Sequence, residues 1–192
     1  MAPDKLSTDF MIPRAIIKPA RALYIAEFQR VVVAMGEAHV EPALRQSDGT
    51  LATDGELQLP YRMDLLPEIG GPSVMVDSPI RAQIEPREMQ RGPVQVSVTS
   101  FVWDYANISI LGLPGNASWE PLRQWFLRWF DTEDEDPVNE EGLYGVAHFM
   151  SDPKEIPGGV SITIDFGSAP IESFDSLVHA LVSMCPRRVE VG

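Results

Sequence analysis

The chain has little of the material from which metal and catalytic signatures are usually built. Of its 192 residues, one is a cysteine, Cys185, and three are histidines, His39, His148 and His179. A lone cysteine excludes an internal disulfide framework and fits a reducing compartment. Its position at the end of an apolar helical pattern predicts a buried structural thiol. No histidine stands in a His-Glu-x-x-His motif, no G-x-S-x-G elbow is present, and neither a P-loop nor a dinucleotide-binding glycine pattern occurs. Asp165-Phe166-Gly167 spells a kinase tripeptide, but no glycine-rich loop or strand lysine accompanies it. No cofactor is expected, and a non-enzymatic role is favoured.

Long apolar runs are also missing. None approaches the roughly 20 residues needed to cross a bilayer, and Met1-Ala2-Pro3-Asp4-Lys5 does not begin a secretory leader. A cytoplasmic chain with no membrane association is the expectation. Basic charge is scarce as well: 15 Lys and Arg face 28 Asp and Glu, a formal net charge of −13. The imbalance is concentrated in residues 91–192, where 6 basic groups meet 15 acidic ones. Such a field repels phosphate backbones and argues against nucleic-acid binding, while it steers a positively charged protein inward.

What the sequence does contain is legible from about residue 94. Val94, Val96 and Val98 alternate with polar residues, as do Ile108 and Ile110, so two strands are expected side by side, joined near Trp103-Asp104-Tyr105. Ser118 is placed to cap a helix carrying Trp119, Leu122, Trp125, Phe126, Trp129 and Phe130. Gly142 to Met150 reads as a strand, and Val160, Ile162, Ile164 and Phe166 mark the clearest strand of all. A second amphipathic helix follows, with Ile171, Phe174, Leu177, Val178 and Leu181 on one face, and then a closing strand from Arg187 to Val191.

That order predicts an α+β fold of the ferredoxin-like split β-α-β type: an antiparallel sheet with two helices on one face, extended by one strand. The charges of Arg187, Arg188 and Glu190 suggest that the last strand is an edge. Ser109, Ser161, Thr163 and Asp165 should then lie on an open polar face, unlike the aromatic and basic platform of an RNA-recognition module. The domain is expected over 91–192. Residues 1–90 read as a partly helical N-terminal extension packing on it, with Tyr24, Phe28, Val31, Val32 and Met35 on one helical face closing at Gly36.

The acidic stretch Asp131 to Glu141 directly follows the aromatic helix. Its spacing does not frame an EF-hand loop, so the readings are a solvated loop or a face for a basic protein. The leading functional expectation is an acidic protein-binding module, such as a bacterial immunity protein or a stoichiometric inhibitor of a basic toxin or nuclease. Trp125, Trp129, Asp131, Glu133, Asp134, Glu135 and Asp136 would carry the contact. One alternative is a small-molecule site or enzyme between sheet and N-terminal region, using Asp165 and His148. Another is a structural or assembly subunit.

Overall fold

A computed structural model describes residues 14–192. The described residues begin with helix α1 (Arg14–Met35), which buries Ile17, Ala20, Tyr24, Ile25 and Phe28 along one stripe. Gly36 ends it in the left-handed region at φ 71°, where a residue without Cβ carries no steric penalty. Four two-residue strands follow: β1 (His39–Val40) pairs with β4 (Leu65–Leu66), and β2 (Thr53–Asp54) pairs with β3 (Leu59–Pro60). Backbone hydrogen bonds hold this region together, as between Leu44 and Tyr61, and side chains tie it to the rest of the chain. The Asp152 carboxylate, for instance, accepts the Glu56 and Leu57 amides at 2.7 and 2.9 Å.

The remaining elements are β5 (Arg87–Arg91), β6 (Val94–Val98), β7 (Ala106–Leu111), α2 (Glu120–Phe130), β8 (Phe149–Met150), β9 (Lys154–Ile156), β10 (Gly159–Asp165), α3 (Ile171–Ser183) and β11 (Arg188–Val191). They form a seven-stranded sheet in the order β5-β6-β11-β7-β10-β8, with β9 also paired to β10. The fold is mixed α/β. Strand β5 straddles the boundary expected at residues 90/91, and one hydrophobic core runs from Ile17 to Val191. Among the described residues no helix is long and apolar enough to cross a membrane.

Three expectations about the sheet are corrected. Strands β6 and β7 are not neighbours, because β11 lies between them, parallel to β6 and antiparallel to β7. The sheet is therefore mixed and not purely antiparallel. Trp103, expected in the connection near Trp103-Asp104-Tyr105, is fully buried, as is Phe101 before it. Their burial draws the connection through the core: Trp103 stacks on Phe166 at 4.4 Å between centroids and donates Nε1–H to the Gly167 carbonyl at 2.9 Å. Strand β11 is consequently interior, not an edge. Its charges sit on the polar face, where Arg188 pairs with Glu88 and Glu190.

Residues 142–148, expected as strand, are irregular, and only Phe149–Met150 joins the sheet. Acceptors other than a strand ladder take the amides of residues 144–147. Ser168 Oγ accepts from Gly145 and Val146, Glu41 from Tyr144, and the Trp129 carbonyl from Ala147. Cys185 is also corrected: it is exposed, in a left-handed turn at φ 57° just beyond α3. The turn rotates its side chain off the helix's apolar stripe.

The aromatic helix is buried chiefly against α3. Trp125 donates its indole N–H to the Ser173 carbonyl at 2.8 Å, and Trp129 donates to Ser176 Oγ at 2.9 Å. Trp125 is 4% exposed and Trp129 is half-buried against the core.

Candidate functional site

The acidic loop and the interior behind it form one connected structure. Asp131 caps α2 in the left-handed region at φ 55°, and its carboxylate accepts the Glu135 and Asp136 amides at 3.3 and 3.0 Å. Asp134 receives two arginines, Arg45 at 2.5 Å and Arg62 at 2.6 Å. Burial alone would raise its carboxyl, but the hydrogen bonds from Arg45 and Arg62 outweigh that and hold it below its ordinary value. Glu133, Glu135 and Asp136 are exposed, as are Glu140 and Val138. The seven residues expected to carry a contact thus divide. Trp125 is interior, Asp131 and Asp134 shape the loop, Trp129 lies at the margin, and three carboxylates face solvent.

Arg62 is the inner anchor. Its side chain is 4% exposed, lies over the Phe130 ring at 4.6 Å, and donates to the carbonyls of Phe130, Glu41 and Asp131 at 2.7–2.8 Å. Beside it opens a cleft of about 360 Å³ lined by His39, Glu41, Arg45, Arg62, Asp134 and Tyr144, among others.

Glu41 leads from this cleft into a buried ionic cluster. His148 is 1% exposed, and its two ring nitrogens meet two carboxylates: Nε2 lies 2.7 Å from Glu41 Oε1, and Nδ1 lies 2.7 Å from Asp64 Oδ1. Asp165 Oδ2 stands 3.7 Å from the same Nδ1. The remaining acceptor positions are matched to donors. Glu41 also takes the Tyr144 and Ser168 amides, Asp64 takes the Val76 amide at 2.6 Å, and Asp165 takes the Gly167 amide at 2.8 Å. Asp165, expected on the open sheet face, is instead turned toward this interior.

The electrostatics follow from crowding three carboxylates around one imidazole. Burial alone would lower the His148 value, but Asp165, Asp64 and Glu41 drive it well above its ordinary value, so the ring is an imidazolium with both N–H groups donating. Burial, only partly offset by the imidazolium, pushes Asp165 up to about 7. Tyr24, buried beside the same groups, is raised well above its usual value by desolvation and then by Asp165, Asp64 and Glu41, and stays a neutral phenol.

Asp165 and His148, named together as an alternative site, are indeed neighbours. Glu41, Asp64 and Arg62 were not legible as their partners. The available signal was weak: each is a charged residue among apolar ones, Val40-Glu41-Pro42-Ala43 and Met63-Asp64-Leu65-Leu66 being the clearest. Such isolated charges are costly to bury unless paired. No protein-family model, curated protein or solved structure matches the chain.

Proposed function

We propose that the protein is an acidic protein-binding module whose loop from Asp131 to Glu141 docks on a basic partner, in the manner of an immunity protein or stoichiometric inhibitor acting in a bacterial cytoplasm. The observation that carries this reading is the internal order of the loop. Asp131 and Asp134 are spent on shaping it, against backbone amides and against Arg45 and Arg62, and Glu133, Glu135 and Asp136 are left pointing outward. A loop kept extended by self-repulsion would pay an ordering cost on binding, which a preformed loop largely avoids. The contact surface is then the three exposed carboxylates with the margin of Trp129, while Trp125 supports it from within.

A small-molecule enzyme built on Asp165 and His148 is the weaker reading, because the imidazole is sealed from solvent and both its nitrogens are engaged. We also infer that the sheet and its two helices are a split β-α-β domain of the ferredoxin-like type. The strand order β11-β7-β10-β8, with α2 after β7 and α3 after β10, supports it.

The test is kinetic. After affinity capture of the partner, its association rate is measured against salt and against a Glu133→Gln/Glu135→Gln/Asp136→Asn variant. A steered interface loses on-rate about tenfold or more as salt rises, and the variant reproduces much of that loss at low salt. An acidic partner, or a rate indifferent to both changes, sinks the proposal.

A further inference from the structure

The buried cluster contains an arrangement that the docking reading does not use. Three potential ligand atoms, His148 Nδ1, a carboxylate oxygen of Asp64 and one of Asp165, lie within 4.8 Å of one another. Each belongs to a group whose other polar atom is already held from behind. Glu41 takes His148 Nε2–H at 2.7 Å, the Val76 amide holds Asp64 Oδ2 at 2.6 Å, and the Gly167 amide holds Asp165 Oδ1 at 2.8 Å. A carboxylate behind the far nitrogen of an imidazole is the usual support of a metal-binding histidine, because it fixes the tautomer and leaves the near nitrogen free to ligate. Of the facing atoms, His148 Nδ1 and Asp64 Oδ1 meet each other at 2.7 Å, and Asp165 Oδ2 stands off at 3.7 Å.

We propose that His148, Asp64 and Asp165 form a binding site for a divalent transition cation of the Zn²⁺ class, with Glu41 as the positioning residue for the imidazole. One nitrogen and two carboxylate oxygens suit such an ion, whereas an all-oxygen set would suit Mg²⁺ or Ca²⁺. The geometry requires one adjustment. Ligands bound at about 2.1 Å in a tetrahedral arrangement stand about 3.4 Å apart. Asp165 Oδ2 is already 3.7 Å from Nδ1, beyond hydrogen-bond reach, while Asp64 Oδ1 at 2.7 Å must open by a rotation of its carboxylate. The ion displaces the proton on Nδ1, which leaves as H⁺ to solvent. Asp165, with 17% of its side chain exposed, gives the site its side toward solvent. The buried Tyr24 hydroxyl lies 3.5 Å from Asp64 Oδ1.

The experiment uses the full chain, stripped with a chelator, dialysed and titrated with Zn²⁺ alone by calorimetry. One equivalent should bind saturably. Asp165→Asn, nearly isosteric, should weaken binding at least tenfold, and Glu41→Gln by roughly 10- to 100-fold without being a ligand; Glu133→Gln on the acidic loop should change nothing. A reading on the unaltered chain comes from Mn²⁺ added alone and imidazole resonances followed by NMR: those of His148 should broaden at lower Mn²⁺ than those of the exposed His39 and His179. Absence of saturable Zn²⁺ binding, equal affinity in the Asp165 and Glu133 variants, or broadening confined to His39 and His179 overturns the site.

Discussion

The Glu41 carboxylate and the His148 imidazole, 107 residues apart in the chain, meet at 2.7 Å in a pocket where neither side chain is more than 1% exposed. Their bond ties the segment after α1 to the residues leading into β8, and the same carboxylate takes amides from Tyr144 and Ser168. Asp64 repeats the pattern from the other side of the ring through Val76. A short, strand-poor N-terminal region is thereby joined to the sheet by charge-assisted hydrogen bonds in a low dielectric, where they are strong when complete and costly when broken.

Glu41→Gln should therefore destabilise the protein by about 3–5 kcal/mol, since it leaves a buried imidazolium short of a counter-charge and sets an amide N–H₂ against backbone donors. Glu133→Gln, on the exposed loop, should stay within about 0.5 kcal/mol of the unaltered chain. Urea unfolding of the two variants checks the contrast, and equal stabilities would refute the clamp.

Arg62 and Asp134 test the loop. Arg62→Met removes the donor to three carbonyls and should cost about 3 kcal/mol or more, with faster amide exchange through residues 134–136. Asp134→Asn should cost only about 1 kcal/mol, because 39% of that side chain is exposed and solvent screens the pair. The folded carboxyl of Asp134 lies below its ordinary 3.8. Its contribution is consequently present above that value and lost as pH falls through the lower, folded one. The stability gap between the unaltered chain and Asp134→Asn should be level above about pH 5 and shrink below about pH 4. A gap that widens on acidification contradicts the assignment.

Gly167 provides a steric test. It sits at φ 51°, and a Cβ there would come within 2.5 Å of both His148 Nε2 and the Val146 carbonyl. Gly158 has φ 82° but nothing within 4 Å of the same position. Gly167→Ala should lose well over about 2 kcal/mol, and Gly158→Ala about 1–2 kcal/mol from backbone strain alone. Thermal melts that rank them the other way would show that the packing around His148 yields.

Cys185 should titrate with a thiol reagent in the native state, as an exposed thiol at the end of α3. Reaction only after unfolding would mean that the turn at φ 57° does not carry its side chain outward.

Local signals determined much of this protein. Period-two alternation at Val94–Val98, Ile108–Ile110 and Val160–Ile164, and helical spacing around Trp125 and Phe174, each reflect a backbone geometry that repeats within a few residues. Neighbouring residues suffice to write such patterns. The charge imbalance and the acidic loop were equally open to reading, since both are sums over composition.

Tertiary structure alone decided the rest. Which strand lies beside β7 depends on burying Phe101 and Trp103, and so β11 became interior despite its charges. Residues 142–148 lost their strand to acceptors supplied by Ser168 and Glu41. The cluster of Glu41, Asp64, His148 and Asp165 is assembled from segments with no periodic relation to one another, each presenting a single charge among apolar neighbours. A sequence records that such charges exist; only the folded chain decides which of them share a pocket, because pairing is what makes their burial affordable.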